Sequence, residues 1–166
     1  MSITHHTTPI IIPQALDVTS TTQNFPLGTV VKTNDGGEAV YVQAGSAVST
    51  FNAVVIGVDY VAVGASTAKV ADTSGVSKQL GFAQTSCASG SYCWVQVSGR
   101  PKCKLATDCA DRVTLYTTST EGVLDDATIS AALLAGVVSK TTISNATAIT
   151  LLVPNAAFIH PHANPA

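Results

Sequence analysis

The chain has 166 residues, of which 46% are hydrophobic, 5% aromatic and 11% charged, with a formal net charge of −2. That length suits one well-filled core, while so little charge excludes the concentrated Lys and Arg that nucleic acid requires. No apolar run approaches the roughly 20 residues of a membrane-spanning helix, and residues 1–14 lack the basic-then-apolar order of a secretory signal, so the expectation is a protein made and used without export.

Residues 1–26 read as an extended N-terminal arm, rich in Ser, Thr and His and broken by Pro9, Pro13 and Pro26. Its one apolar cluster, Ile10-Ile11-Ile12, needs a place to be buried, either on its own domain or on a neighbouring chain by strand addition. The folded body is expected over 27–153. A hairpin opens it, with strands at 28–33 and 38–43 around Asn34-Asp35-Gly36-Gly37, whose glycines tolerate positive φ. The nearly unbroken apolar run 52–58 predicts a strand buried on both faces.

Strands follow at 67–71 and 80–85. Over 91–98, alternation puts Tyr92, Trp94 and Gln96 on one face and Cys93, Val95 and Val97 on the other. After the Ser98-Gly99 turn, a strand at 100–106 puts Pro101, Cys103 and Leu105 on one face and Arg100, Lys102 and Lys104 on the other. Cys93 and Cys103 thus share the buried side, with the register between them open. Further strands are predicted at 112–116, 136–140 and 148–153, and a short helical turn at 130–135, where Ala-Ala-Leu-Leu has good helix propensity. Residues 154–166, with Pro154, Pro161 and Pro165, read as a C-terminal tail. No strict repeat and no second domain are legible. Short strands at regular spacing with turn residues between them define an all-β class, a single β-barrel or sandwich-like domain with extended N- and C-terminal arms.

Little in the chain reads as chemistry. No His falls between Leu27 and Val153 to activate a nucleophile, and neither a Gly-x-Ser-x-Gly, a phosphate loop nor a dinucleotide fingerprint occurs. The pairs His5-His6 and His160-x-His162 sit in the arms and read as solvated. Asp125-Asp126 lacks companion ligands at loop spacing and reads as a polar turn, its two carboxylates pointing apart. Cys87, Cys93, Cys103 and Cys109 form no C-x-x-C; buried thiols are the favoured reading, one or two disulfides the alternative. Asn145-Ala146-Thr147 matches a glycosylation acceptor by chance in a chain without an export signal. The expectation is no enzyme, no cofactor and no metal site. Low net charge gives little colloidal repulsion, which favours an oligomer or attachment to a larger surface.

Several segments together resemble the head decoration, or capsid cement, proteins of tailed bacteriophages. They are Leu27-Gly28-Thr29-Val30-Val31, Asp35-Gly36-Gly37 with Tyr41-Val42, and the stretch from Ser89 through Tyr92-Cys93-Trp94-Val95-Gln96-Val97 to Gly99. Leu115-Tyr116-Thr117-Thr118, Gly122-Val123-Leu124-Asp125-Asp126 and Gly136-Val137-Val138 follow in order. The middle of the Tyr-x-Trp unit departs from the family's frequent Gly and is Cys93. The resemblance implies a β-rich protein on the outer capsid surface of the virion, made in the host bacterial cytoplasm. It also implies a homotrimer that binds the major capsid protein and clamps neighbouring subunits, with no membrane or nucleic-acid partner. Candidate contacts are Ile10, Ile11 and Ile12, with Arg100, Lys102 and Lys104 as a basic stripe that meets an acidic partner or simply faces solvent. Two further readings are a receptor- or glycan-binding head protein, stacking sugars on exposed Tyr92 and Trp94, and a glycan hydrolase using Glu121, Asp125 and Asp126.

Overall fold

A computed structural model describes residues 16–70, 78–110, 112–127, 133–139, 148–152 and 158–160. The chain is all-β around a closed five-stranded barrel. Strands β1 (Val30–Lys32) and β2 (Glu38–Ala44) form the expected antiparallel hairpin. Gly36 takes the left-handed position of its turn, φ 81°, as a three-residue hairpin loop requires. The barrel then runs through β3 (Ala53–Ile56), β4 (Val61–Gly64), β5 (Lys78–Ala83) and β6 (Tyr92–Gln96).

Closure follows from five pairings. β2 lies parallel to β4, β4 antiparallel to β3, β3 to β5, β5 to β6, and β6 returns antiparallel to β2. Each strand sends small or β-branched residues inward: Val42 and Ala44, Val54 and Ile56, Ala62, Ala83, Cys93 and Val95 make one buried cluster. A five-stranded barrel has a narrow lumen, and Gly81 keeps it open: a Cβ there would run into the Val95 methyl and lie 3.1 Å from Ile56 Cδ1. Every residue of β3 is buried because Ala53 and Val55 face a second cluster on the outside of the barrel, but the run predicted to 58 stops at Ile56, and Val58 is exposed.

The same five pairings recur in the second half. With β7 (Lys102–Leu105), β8 (Thr114–Thr117), β9 (Val123–Asp125), β10 (Leu133–Ser139) and β11 (Ala148–Leu152), β7 is parallel to β9. β9 is antiparallel to β8, β8 to β10, β10 to β11, and β11 to β7. The repeat illegible in the residues is therefore present in the topology. β12 (Phe158–His160), inside the segment read as a tail, joins the two rings by pairing with β5 and β10.

Other expectations are corrected. Residues 67–71, read as a strand, hold the helical turn α1 (Thr67–Val70). The preceding Ser66 starts it, its carbonyl accepting from Val70 N–H at 3.0 Å and its hydroxyl from Lys69 N–H at 3.4 Å. Leu133, Leu134 and Ala135 are strand, not helix, because β10 pairs with β12 and β8 there. β4 and β9 were not foreseen. The arm does not stay extended to 26: Ser20 exchanges backbone hydrogen bonds with Tyr92 (3.0 and 2.7 Å), and Leu16, Phe25 and Leu27 pack on the body. Among the described residues no helix is long and apolar enough to cross a membrane.

Candidate functional surface

Strand alternation in β7 buries Cys103 and Leu105 and turns Lys102 and Lys104 outward, as predicted. The three basic residues nevertheless have different surroundings. Arg100 is exposed, its backbone N–H donating to Asp35 Oδ2. Lys102 is exposed, with Nζ 5.6 Å from the Phe51 ring centroid. Lys104 is only half exposed and donates through Nζ to Asn52 Oδ1 at 3.1 Å. Asn52 is itself buried and lies against Gly122, whose φ is 76°. Lys104 is thus engaged within the fold, and the outward charge of the stripe rests on Arg100 and Lys102. Ile10, Ile11 and Ile12 lie outside the described residues, as do His5, His6 and His162.

The aromatic face of β6 is not available for stacking. Trp94 is 2% exposed, and Tyr41 covers it with a ring centroid 5.0 Å away. Phe25 closes over both, 5.3 Å from Tyr41 and 5.4 Å from Trp94, while half-buried Tyr92 stacks on Tyr41 at 6.1 Å. The expected sugar platform is corrected: the alternation was right, but residues 16–31 fold back over that face. Among the described residues the large hydrophobic side chains left outside are Val58, 83% exposed, Val30, 52% exposed, and Val18 and Tyr60, both also exposed. The Tyr60 ring rests on Gly28, two residues before Val30, and the Tyr60 carbonyl accepts from Gln43 N–H on β2 at 3.1 Å.

Among the described residues one cluster of potential ligand atoms forms where none was expected. Cys109, Asp125 and Asp126 each bring an atom within 4.8 Å of the others. The argument that adjacent carboxylates diverge fails because β9 ends at Asp125, so Asp126 is outside the strand and free of its alternation. Asp126 Oδ2 accepts from Ala110 N–H at 3.0 Å, and Asp126 N–H donates to Asp125 Oδ1 at 2.9 Å. Burial, then the charges of Asp126 and Asp125, push the Cys109 thiol up to about 11. At neutral pH, with no cation beside it, the thiol is therefore protonated. Burial, and after it the neighbouring Asp126 carboxyl, also raise Asp125 above its ordinary 3.8. Glu121 does not join them; its side chain lies against Gly64.

All four cysteines are free and buried. Cys93 does not share its pocket with Cys103: Cys87 and Cys93 belong to the barrel interior, Cys103 and Cys109 to the outer cluster. That Cys87 and Cys93 fall in one cluster had no sequence signal, because it depends on the path of the turn between them.

No protein-family model matches the chain, and no curated protein or solved structure is significantly similar to it.

Proposed function

We propose that the chain is a structural protein of a tailed-bacteriophage head that binds the outside of an assembled icosahedral capsid. It stabilises the shell by bridging neighbouring major capsid subunits. In this reading the working form is a homotrimer and the location is the outer capsid surface of the virion. The observation that carries the reading is the surface left outside: a charge-poor β body presenting Val30, Val58 and Tyr60, suited to adhesion. The segments resembling cement proteins fall on β1 and its turn, part of β2, β6, β8, β9 and part of β10. Ile10, Ile11 and Ile12 are the proposed anchors on a capsid subunit or a neighbouring copy, with Arg100 and Lys102 as peripheral contacts.

The mechanism is binding without bond making. A protein that binds only the assembled shell shifts the equilibrium toward it by mass action. Many modest contacts repeated over a closed lattice add through multivalency. Deleting residues 1–15 leaves every described contact of the arm from Leu16 onward in place. Added to undecorated shells of the phage that encodes it, the truncated chain should occupy far fewer sites than the full chain and protect the shells less on heating. Equal occupancy removes the isoleucines from the contact. A full-length chain that neither binds shells nor changes their heat resistance overturns the reading.

A further inference from the structure

Cys87 and Cys93 flank a tight reversal of the chain. Cys87 exchanges both backbone hydrogen bonds with Val48 at 2.8 Å, and Cys93 sits opposite Val42 on β2. Between them Ala88, Ser89 and Gly90 are exposed, and Ser91 N–H donates to Ala88 O at 3.1 Å, closing the turn. Both side chains belong to the buried cluster inside the barrel, where each thiol is the main influence on the other's ionisation. The other cysteines lie elsewhere: Cys103 donates to Lys104 O at 3.4 Å and Cys109 to Ala110 O at 3.8 Å, each thiol serving its own backbone neighbour.

We propose that Cys87 and Cys93 are a dithiol modification site that closes to a disulfide, stapling the β5–β6 connection to β6 at one end of the barrel. The inference stands on the barrel alone and holds whether or not the chain coats a capsid. Cys87 is the attacking sulfur. Its chain neighbours Ser86 and Ala88 are both exposed, whereas Cys93 lies between half-buried Tyr92 and buried Trp94, and the neighbouring thiol lowers Cys87 against the opposing effect of burial. Cys87 also borders the exposed turn, the side from which a reagent arrives.

The oxidant is a low-molecular-weight disulfide such as oxidised glutathione. The Cys87 thiolate attacks one of its sulfurs, the S–S bond of the oxidant breaks, and one glutathione thiolate leaves. Cys93 loses its proton and attacks Cys87 Sγ, expelling the second glutathione. Two protein S–H bonds are exchanged for one S–S bond, and two electrons and two protons end on two glutathione molecules. Bringing the sulfurs to the roughly 2 Å of a disulfide requires local movement, and the exposed turn with Gly90 at φ 79° is placed to absorb it.

The test treats the reduced full-length protein with oxidised glutathione, under native conditions and in urea just below the unfolding transition so that access is not limiting. Remaining thiols are then alkylated in denaturant and the protein is cleaved after lysine. Fragment 79–102 carries Cys87 and Cys93 but neither of the other two. The expected result is that this fragment resists alkylation and is two hydrogens lighter, that Cys103 and Cys109 are alkylated, and that the oxidised form melts at a higher temperature. In Cys93→Ala the first step has no second, so a glutathione adduct accumulates on Cys87. Four alkylated cysteines in both conditions, a bridge involving Cys103 or Cys109, or a Cys93→Ala protein without an adduct on Cys87 overturns the proposal.

Discussion

Asp35 ties the first hairpin to the turn that leaves the barrel. Its carboxylate accepts from the Thr33 hydroxyl, from Gly37 N–H at 3.2 Å, from Gln96 Nε2 at 2.9 Å and from Arg100 N–H. The two turns meet so closely that only glycine fits: a Cβ on Gly37 would strike the Ser98 carbonyl, and one on Gly99 would lie 2.8 Å from Gly37 Cα. Burial opposes the charge on Asp35, but the donated hydrogen bonds outweigh it and hold the carboxyl below its ordinary 3.8. A carboxyl depressed on folding contributes stability that is whole above its unfolded value and is lost as pH falls through the folded one. Asp125, raised by burial, has the opposite sign: between 3.8 and its folded value, stability rises as pH falls. The windows lie on either side of 3.8, so they separate. Urea midpoints measured below pH 3.8 should fall with pH in the wild type and much less steeply in Asp35→Ala; parallel slopes would show that Asp35 does not carry the effect. The turn itself was legible, since Asn34-Asp35-Gly36-Gly37 is a local signal. Asp35's partners Gln96 and Arg100 were not, being more than 60 residues away.

Among the elements, segments with a local reason to form were the legible ones. The β1–β2 hairpin, the doubly buried β3 and the alternating β6 announced themselves in composition and period. β4 and β9 each pair antiparallel with the strand just before them, β3 and β8, but are only four and three residues long, too short to show a period, and their parallel partners β2 and β7 leave no turn signal. The basic stripe was legible as a face, but the engagement of Lys104 was not, because Asn52 reaches it from another strand end. The N-terminal strap shows the same limit: Pro and Ser read as an arm, while its anchors Leu16, Phe25 and Leu27 gain meaning only against Tyr41 and Trp94. Phe25 is the anchor to test. A fully buried Phe→Ala costs about 3–5 kcal/mol, and partial exposure of Phe25 reduces the expected loss to about 2 kcal/mol. Because residues 21–24 are exposed next to it, Phe25→Ala should also speed proteolytic cutting there before the barrel opens. Unchanged cutting with unchanged stability would mean the strap is held without the ring.

At the scale of the whole molecule, the recurrence of one pairing scheme raises the question of whether the rings unfold separately. Their junction argues that they do not. The outer faces of β3 and β5 supply Ala53, Val55, Leu80 and Phe82 to a cluster completed by Cys103, Leu105, Leu115 and Leu124 from β7, β8 and β9. Separating the rings would expose Phe82 and Leu80, both fully buried, and would leave β12 without one of its two partners. That penalty is of the order of the net stability of a small domain, about 5–15 kcal/mol, so neither ring is expected to persist without the other. The chain's single tryptophan makes this measurable. Trp94 lies on β6 and reports the first ring, whereas far-ultraviolet dichroism reports strands of both. The two signals should trace one transition with equal calorimetric and van't Hoff enthalpies. Phe82→Ala should lower that transition as a unit, by roughly 3–5 kcal/mol. A fluorescence change displaced from the dichroism change would instead mark the rings as independent units. The joint would then be a contact between finished domains and not the core through which each ring stabilises the other.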